Sequence, residues 1–186
     1  MAVLLNHTSN LRLRLELVSR LSDGVRTPAA LQFAIAIERY EHAHEGGLTE
    51  HGFVPIVALG PSRLLDLELI RFLEGLEGVL ASARAALSGT PLVGQPPTDC
   101  ALEPSGPPSA FVRVMGGPEA FLIETGIELS SRLESVDGAR GQPGEDLAMF
   151  RFPTHARALL AFSAQLLEEF ERFPTDPSKV DPGRAE

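Results

Sequence analysis

The chain repeats one pattern of strand, proline-bearing turn and amphipathic helix, and that repeat constrains its fold more than any single motif. FVPIVALGPSRLLDLELIRFL, from Phe53, lines up with DLAMFRFPTHARALLAFSAQLL, from Asp146; LQFAIAIERYEH precedes the first and FLIETGIELSSR the second. A unit of about three strands and one helix cannot bury its own sheet face, so two such units must cover each other. The repeat therefore predicts an α+β fold: two β-meander-plus-helix repeats forming one antiparallel sheet of six strands, with two helices on one face.

The hydrophobic period places the elements. In LRLRLEL, Leu11, Leu13, Leu15 and Leu17 fall on one side and Arg12, Arg14 and Glu16 on the other, the two-residue period of a half-buried strand. Leu31 to Glu38 alternates in the same way, and Phe53 to Leu59 reads as a third strand in which Pro55 requires an edge or a bulge. Ser22-Asp23-Gly24 and Gly46-Gly47 read as turns. Gly60-Pro61-Ser62 then opens a helix with Leu65, Leu69, Phe72, Leu73, Leu76, Val79, Leu80, Ala83 and Leu87 as its apolar stripe and Gly89 as its C-terminal cap. Gly75 and Gly78 weaken that helix and fit a site of close packing. In the second unit, Asp99 to Glu103 reads as a short edge strand, FVRVM from Phe111 as a strand, and Met115-Gly116-Gly117-Pro118 as a hairpin turn. Phe121 to Arg132 alternates, a loop spans Asp137 to Gly144, and Leu147 to Phe152 is a strand. Pro153-Thr154 starts a second helix, capped by Thr154, with Leu159, Phe162, Leu166, Phe170 and Phe173 inward. These readings give a single domain over residues 1–173. Its repeat units span about 10–89 and 110–173, the Pro/Gly-rich segment 90–109 joins them, and 174–186 forms a flexible tail.

Charge and cysteine content exclude whole classes. The net charge is −9, and only one of the basic residues, Lys179, is not arginine. An acidic chain without clustered cations is a poor ligand for a phosphate backbone, so no nucleic-acid partner is expected. Cys100 is the only cysteine, which rules out an internal disulfide and fits a reducing compartment. No apolar run reaches the roughly 18 residues of a membrane span, and Met1 to Leu5 is too short for a signal peptide. The expected location is the cytoplasm, with no membrane partner.

Candidate chemistry is sparse. Glu41-His42-Ala43-His44-Glu45, followed by Glu50-His51, is the densest polar cluster. Imidazoles on His42, His44 and His51 have the donor type for zinc or copper, but a fourth spaced ligand is lacking. No metal or other cofactor is therefore expected, and the segment reads as a solvated hairpin tip. His155 stands at a helix start with no serine or cysteine nucleophile motif beside it, and Cys100 has no activating cation nearby. Glu124 and Glu128 share one strand face at ~13 Å, too far apart for a glycosidase pair. No catalytic residue is assigned.

The helix LLDLELIRFLEGLEGVLASARAALSG, the strand FVRVM, the strand FLIETGIELSSR and the closing DLAMFRFPTHARALLAFSAQLLEEF follow one another as in the small WapI-type immunity proteins of bacterial polymorphic toxin systems, which this chain resembles over about Phe53 to Phe173. Pro153-Thr154-His155 stands where that pattern has an acidic, glutamine-bearing turn, and the chain has no tryptophan. The resemblance implies a non-catalytic cytoplasmic antidote that binds a toxin.

Charge asymmetry suggests a surface for such binding. Residues 1–89 hold eight basic and ten acidic residues, net −2, whereas residues 90–186 hold eight and fifteen, net −7. Glu124, Glu128, Glu134, Asp137, Glu145 and Asp146 are accordingly the candidate partner-binding residues, the partner being another protein, a cationic toxin domain. Two other classes stay open. One is a small-ligand carrier or enzyme that uses the sheet concavity with His42, His44, His51 or His155; the other is a scaffold or assembly subunit.

Overall fold

The computed structural model describes residues 1–21, 28–45, 48–89, 98–105, 110–116, 121–128 and 147–174, with backbone only at 42–45, 48–51, 82–83 and 86–87. The turn at Ser22-Asp23-Gly24, the Gly46-Gly47 pair, the loop from Asp137 to Gly144 and the tail beyond Pro174 lie outside those residues.

The two alternating stretches of the first unit become β2 (Leu11–Leu21) and β3 (Ala30–Glu45), joined by β1 (Ala2–Leu5) and β4 (Leu48–Leu65) in an antiparallel sheet of order β1-β2-β3-β4. The second unit forms β5 (Asp99–Leu102), β6 (Ala110–Gly116), β7 (Phe121–Glu128) and β8 (Leu147–Thr154), again in chain order. Helix α1 (Asp66–Ser88) follows β4, and α2 (Ala156–Glu171) follows β8. The α+β class and the repeat of meander plus helix are as expected, but the strands form two sheets of four rather than one sheet of six. The reason lies at the edges. The short strands β1 and β5 take one edge of each sheet, and a helix covers each of them. The opposite edges, β4 and β8, carry Pro55, Pro61 and Pro153, which lack the N–H needed to continue a ladder.

Each helix makes its tightest contacts with the first strand of the other unit: α1 runs against β5, and α2 against β1. Gln165 of α2 accepts the Val3 N–H of β1 at 2.8 Å, satisfying an edge donor. Glu169, buried on α2, accepts the Leu17 N–H at 3.3 Å. Thr154 donates its hydroxyl to the Leu5 carbonyl at 2.6 Å, and the His7 N–H reaches the Pro153 carbonyl at 2.8 Å. On the other side Gly75 lets α1 approach β5 so closely that a β-carbon placed there would lie 2.8 Å from Cys100 Cβ. Glu68 accepts the Ser105 N–H at 2.9 Å just past β5, and also the Leu65 N–H at 2.8 Å, which caps α1.

The inner faces and the helix stripes share one core. Leu13, Leu15, Phe33 and Ile37 from the first sheet join Val112, Val114, Phe121 and Ile123 from the second. Phe72, Leu76, Phe162 and Leu166 close the helix side, each fully buried as the stripes predict. Gly89 caps α1 in the left-handed region at φ 66°, also as read from the sequence. Two helix starts differ from expectation. The first strand-to-helix junction is not at Gly60-Pro61-Ser62: β4 runs through these residues to Leu65. A bulge absorbs them, with Gly60 and Pro61 opposing the single residue Ala34 between the pairs Phe33↔Ser62 and Ile35↔Leu59. At the second helix Thr154 is spent on the Leu5 carbonyl, so His155 is the cap instead, its Nδ1 accepting the Ala158 N–H at 3.0 Å.

Two substitutions probe this packing. Phe162→Ala removes a fully buried ring and is expected to cost about 3–5 kcal/mol in denaturant unfolding. Gly75→Ala gains up to ~1 kcal/mol of helix propensity but drives a methyl into Cys100 Cβ, so net destabilisation of ~1–3 kcal/mol is expected. A more stable Gly75→Ala protein would show that α1 and β5 are not held this tightly.

Candidate functional site

The inner faces are committed to the core, so the exposed apolar side chains mark what the surface leaves for contact. Val18 and Ile56 are exposed because they are extra residues at bulges: Val18 between the pairs Leu17↔Phe33 and Ser19↔Gln32, Ile56 between Ile37↔Val57 and Glu38↔Pro55. They need no partner to explain them. Leu122, Leu147 and Met149 are different. They stand 38–46% exposed on regular positions of β7 and β8, on the side of the second sheet away from the helices.

Register assembles this outer face row by row. Met115 on β6, Leu122 on β7 and Pro153 on β8 form one row. Arg113, Glu124 and Arg151 form the next, and Phe111, Gly126 and Met149 the third. Glu128 and Leu147 end the β7–β8 pair. In the third row Phe111 lies over Gly126 so closely that a β-carbon there would be 2.4 Å from the ring, which fills the space a side chain would otherwise take. In the middle row Glu124 is 7% exposed and accepts from Arg151 at Nε (2.8 Å) and at a second guanidinium nitrogen (2.5 Å). Arg151 itself is two-thirds exposed, so a buried carboxylate fixes the orientation of a surface guanidinium. The outer face thus has apolar rows on either side of a charged one, in which Arg113 and Arg151 flank Glu124 and Arg151 is the arginine Glu124 holds.

The six carboxylates chosen from the sequence are distributed as follows. Glu124 and Glu128 share the outward side of β7, but Glu124 is neutralised by Arg151, and Glu128 is half-buried at the end of the strand beside Leu147. Glu134, Asp137, Glu145 and Asp146 lie outside the described residues. The apolar members of the patch were not singled out in the sequence, although Leu122 breaks the alternation of FLIETGIE by placing leucine at an outward position, and LAMFRF shows no alternation at all.

The histidine and cysteine candidates are separated. Backbone register sets His42 opposite His51 and His44 opposite Thr49; their side chains lie outside the described residues. His155 is an exposed helix cap whose Nδ1 is occupied by Ala158, with the His7 ring edge-on at 6.5 Å. Cys100 faces α1, and burial, reinforced by the negative charge of Asp99, pushes its thiol up to about 12. Among the described residues no group of three or more His, Cys, Asp or Glu is gathered that could hold a metal ion, and no helix is long and apolar enough to cross a membrane.

Comparison with known proteins adds one likeness. No family model and no curated protein matches the sequence. Among solved structures the fold is similar to a chain of the CdiA-CT/CdiI toxin and immunity complex from Enterobacter cloacae. The match covers 84% of this chain and 99% of that one at 11% identity and a TM-score of 0.29.

The thiol offers a direct check on the contact between α1 and β5. Raised from 9.0 to about 12, Cys100 is expected to react with a neutral disulfide reagent at pH 8 on the order of 1,000-fold more slowly than the unfolded chain, the ratio of the two thiolate populations. Because the folded state then holds the proton that the unfolded state loses, stability is expected to fall as pH rises from 9 towards 12. Equal labelling of native and unfolded protein would place Cys100 in solvent.

Proposed function

We propose that this chain is a non-catalytic binding protein of the immunity type, acting in the cytoplasm by covering a cationic protein domain. The observation that carries the reading is the outer face of β6–β8, where Leu122, Leu147 and Met149 stand exposed on regular strand positions around the Glu124–Arg151 pair. A clustered apolar patch on an otherwise alternating sheet is the usual mark of a protein contact. An arginine held rigid inside such a patch has the character of an interface anchor.

Charge supports the choice of partner. The segment joining β7 to β8 leaves the sheet after Glu128 and returns at Leu147, at one end of the patch. It carries Glu134, Asp137, Glu145 and Asp146 against Arg132 and Arg140. In this reading Glu128 and those four carboxylates steer a cationic surface towards the apolar patch, while Glu124 holds Arg151 in place. The WapI-type resemblance supplies the kind of partner, a toxin domain.

The test starts from the neighbouring reading frame, where a toxin with a basic C-terminal domain is expected. With that domain, replacing Glu134, Asp137, Glu145 and Asp146 by their amides is expected to slow association about tenfold at low salt and to flatten its salt dependence. Met149→Asp is expected to speed dissociation by at least about tenfold with little change in melting temperature. An acidic neighbour, or association indifferent to both changes, would remove the reading.

A further inference from the structure

We infer that the groove between α1 and α2 is a docking site for a cationic amphipathic helix of a protein partner, a surface separate from the outer face of β6–β8. After the bulge residues and the β7–β8 patch are accounted for, Leu67 and Leu167, about half exposed, remain on the two helices. Leu167 lines a cavity of about 230 Å³ between α1 and α2, together with Ile70, Leu73 and Phe170; Leu67 stands one turn before Ile70 on α1. Two helices packed side by side leave a furrow into which the ridge of a third can settle, and apolar anchors spaced along that furrow are the recognition mode of a helix in a groove.

The charge on the walls selects the occupant. Glu74 and Glu77 line the groove, and among the described residues no cationic side chain lines it. Glu171 stands one turn beyond Leu167 on the α2 crest. Arg84 pairs with Glu77 at 3.1 Å, but both side chains are well over half exposed, and such a pair holds little. The wall therefore stays net negative, favouring lysine or arginine beside the apolar anchors and rejecting an acidic helix. The spacing of Leu67, Ile70, Leu73 and Glu74 along one side of α1 matches a partner that presents leucine-sized side chains every three to four residues with cations on their flanks. This inference rests on the helix layer alone and stands whether or not the immunity reading holds.

The probe is a fluorescent amphipathic peptide of roughly 18 residues built from leucine and lysine, titrated by anisotropy against the full chain, with a leucine–glutamate peptide of the same pattern as its counterpart. The lysine peptide is expected to bind at least about tenfold more tightly than the glutamate one. Leu167→Asn and the double variant Glu74→Lys, Glu77→Lys are each expected to weaken it by at least about tenfold, and Met149→Asn on the other surface is expected to leave it unchanged. Since Leu167, Glu74 and Glu77 are exposed, the melting temperature is expected to hold in these variants. Amide shifts on binding should fall on residues 70–77 and 163–170. Binding indifferent to Leu167→Asn, shifts that map to β7 and β8, or a dimer of the free protein that Leu167→Asn dissolves would each overturn the proposal.

Discussion

Neither sheet closes over its own first strand: each is closed by the other unit's helix. β1 is four residues long and buries Ala2 and Leu4 completely only because α2 lies along it. β5 meets α1 at a contact that only glycine permits at position 75. Arg20 ties the arrangement at one point, its guanidinium holding both oxygens of Asp66 at 2.9–3.0 Å in the first turn of α1 while donating to the Phe173 carbonyl just past the end of α2. Carboxylate at a helix start and cation at a helix end are the signs the helix dipoles favour. Asp66 is almost fully buried, so losing Arg20 would remove two charge-assisted hydrogen bonds from a desolvated carboxylate, a defect on the order of 3 kcal/mol.

This exchange decides what is left for function. Inner faces and helix stripes are consumed by the shared core, β1 and β5 are covered, and β4 and β8 are blunted by proline. The outer faces then differ. On the first sheet Glu38 is held by Arg12 at 2.5 Å and Arg14 at 3.0 Å, and the Arg12 guanidinium lies 4.0 Å from the centre of the Phe53 ring. The apolar side chains that reach solvent there are scattered, Val18 and Ile56 at two bulges and Val54 opposite Arg39. On the second sheet Leu122, Leu147 and Met149 reach solvent at regular positions of two paired strands. Clustering, rather than exposure alone, is what singles out the β6–β8 face.

Much of this was legible in the sequence where one face of an element meets water. The helix stripes from Leu69 to Leu80 and from Leu159 to Leu166, the glycine cap at Gly89 and the edge position of Pro55 all follow from period and turn chemistry, and the structure keeps them. The repeat alignment also holds in three dimensions: Leu31 pairs with Leu64 and Phe121 with Thr154, in each case the residue just before a helix cap. What escaped was set by partners distant in sequence. β1 reads as a bare apolar tetrapeptide because its half-buried side chains, Val3 and Leu5, are as apolar as its buried ones, Ala2 and Leu4. Gly60-Pro61 imitates a turn, yet an edge strand with a bulge carries it without interruption. The apolar outer patch escaped because Leu122 is a lone departure from alternation in its own strand; only the pairing of β6, β7 and β8 gathers Leu122, Met149 and Arg151 together.

The helix exchange is tested most directly by cutting the chain between the units. Residues 1–89 and 90–186, prepared as separate fragments, each carry a complete meander and its following helix. If the helices close over the opposite units, neither fragment alone should melt cooperatively, whereas an equimolar mixture should form a one-to-one complex with the circular dichroism and cooperative transition of the intact protein. A monomeric fragment that folds and melts cooperatively alone would mean that each helix closes its own sheet, and would contradict the exchange.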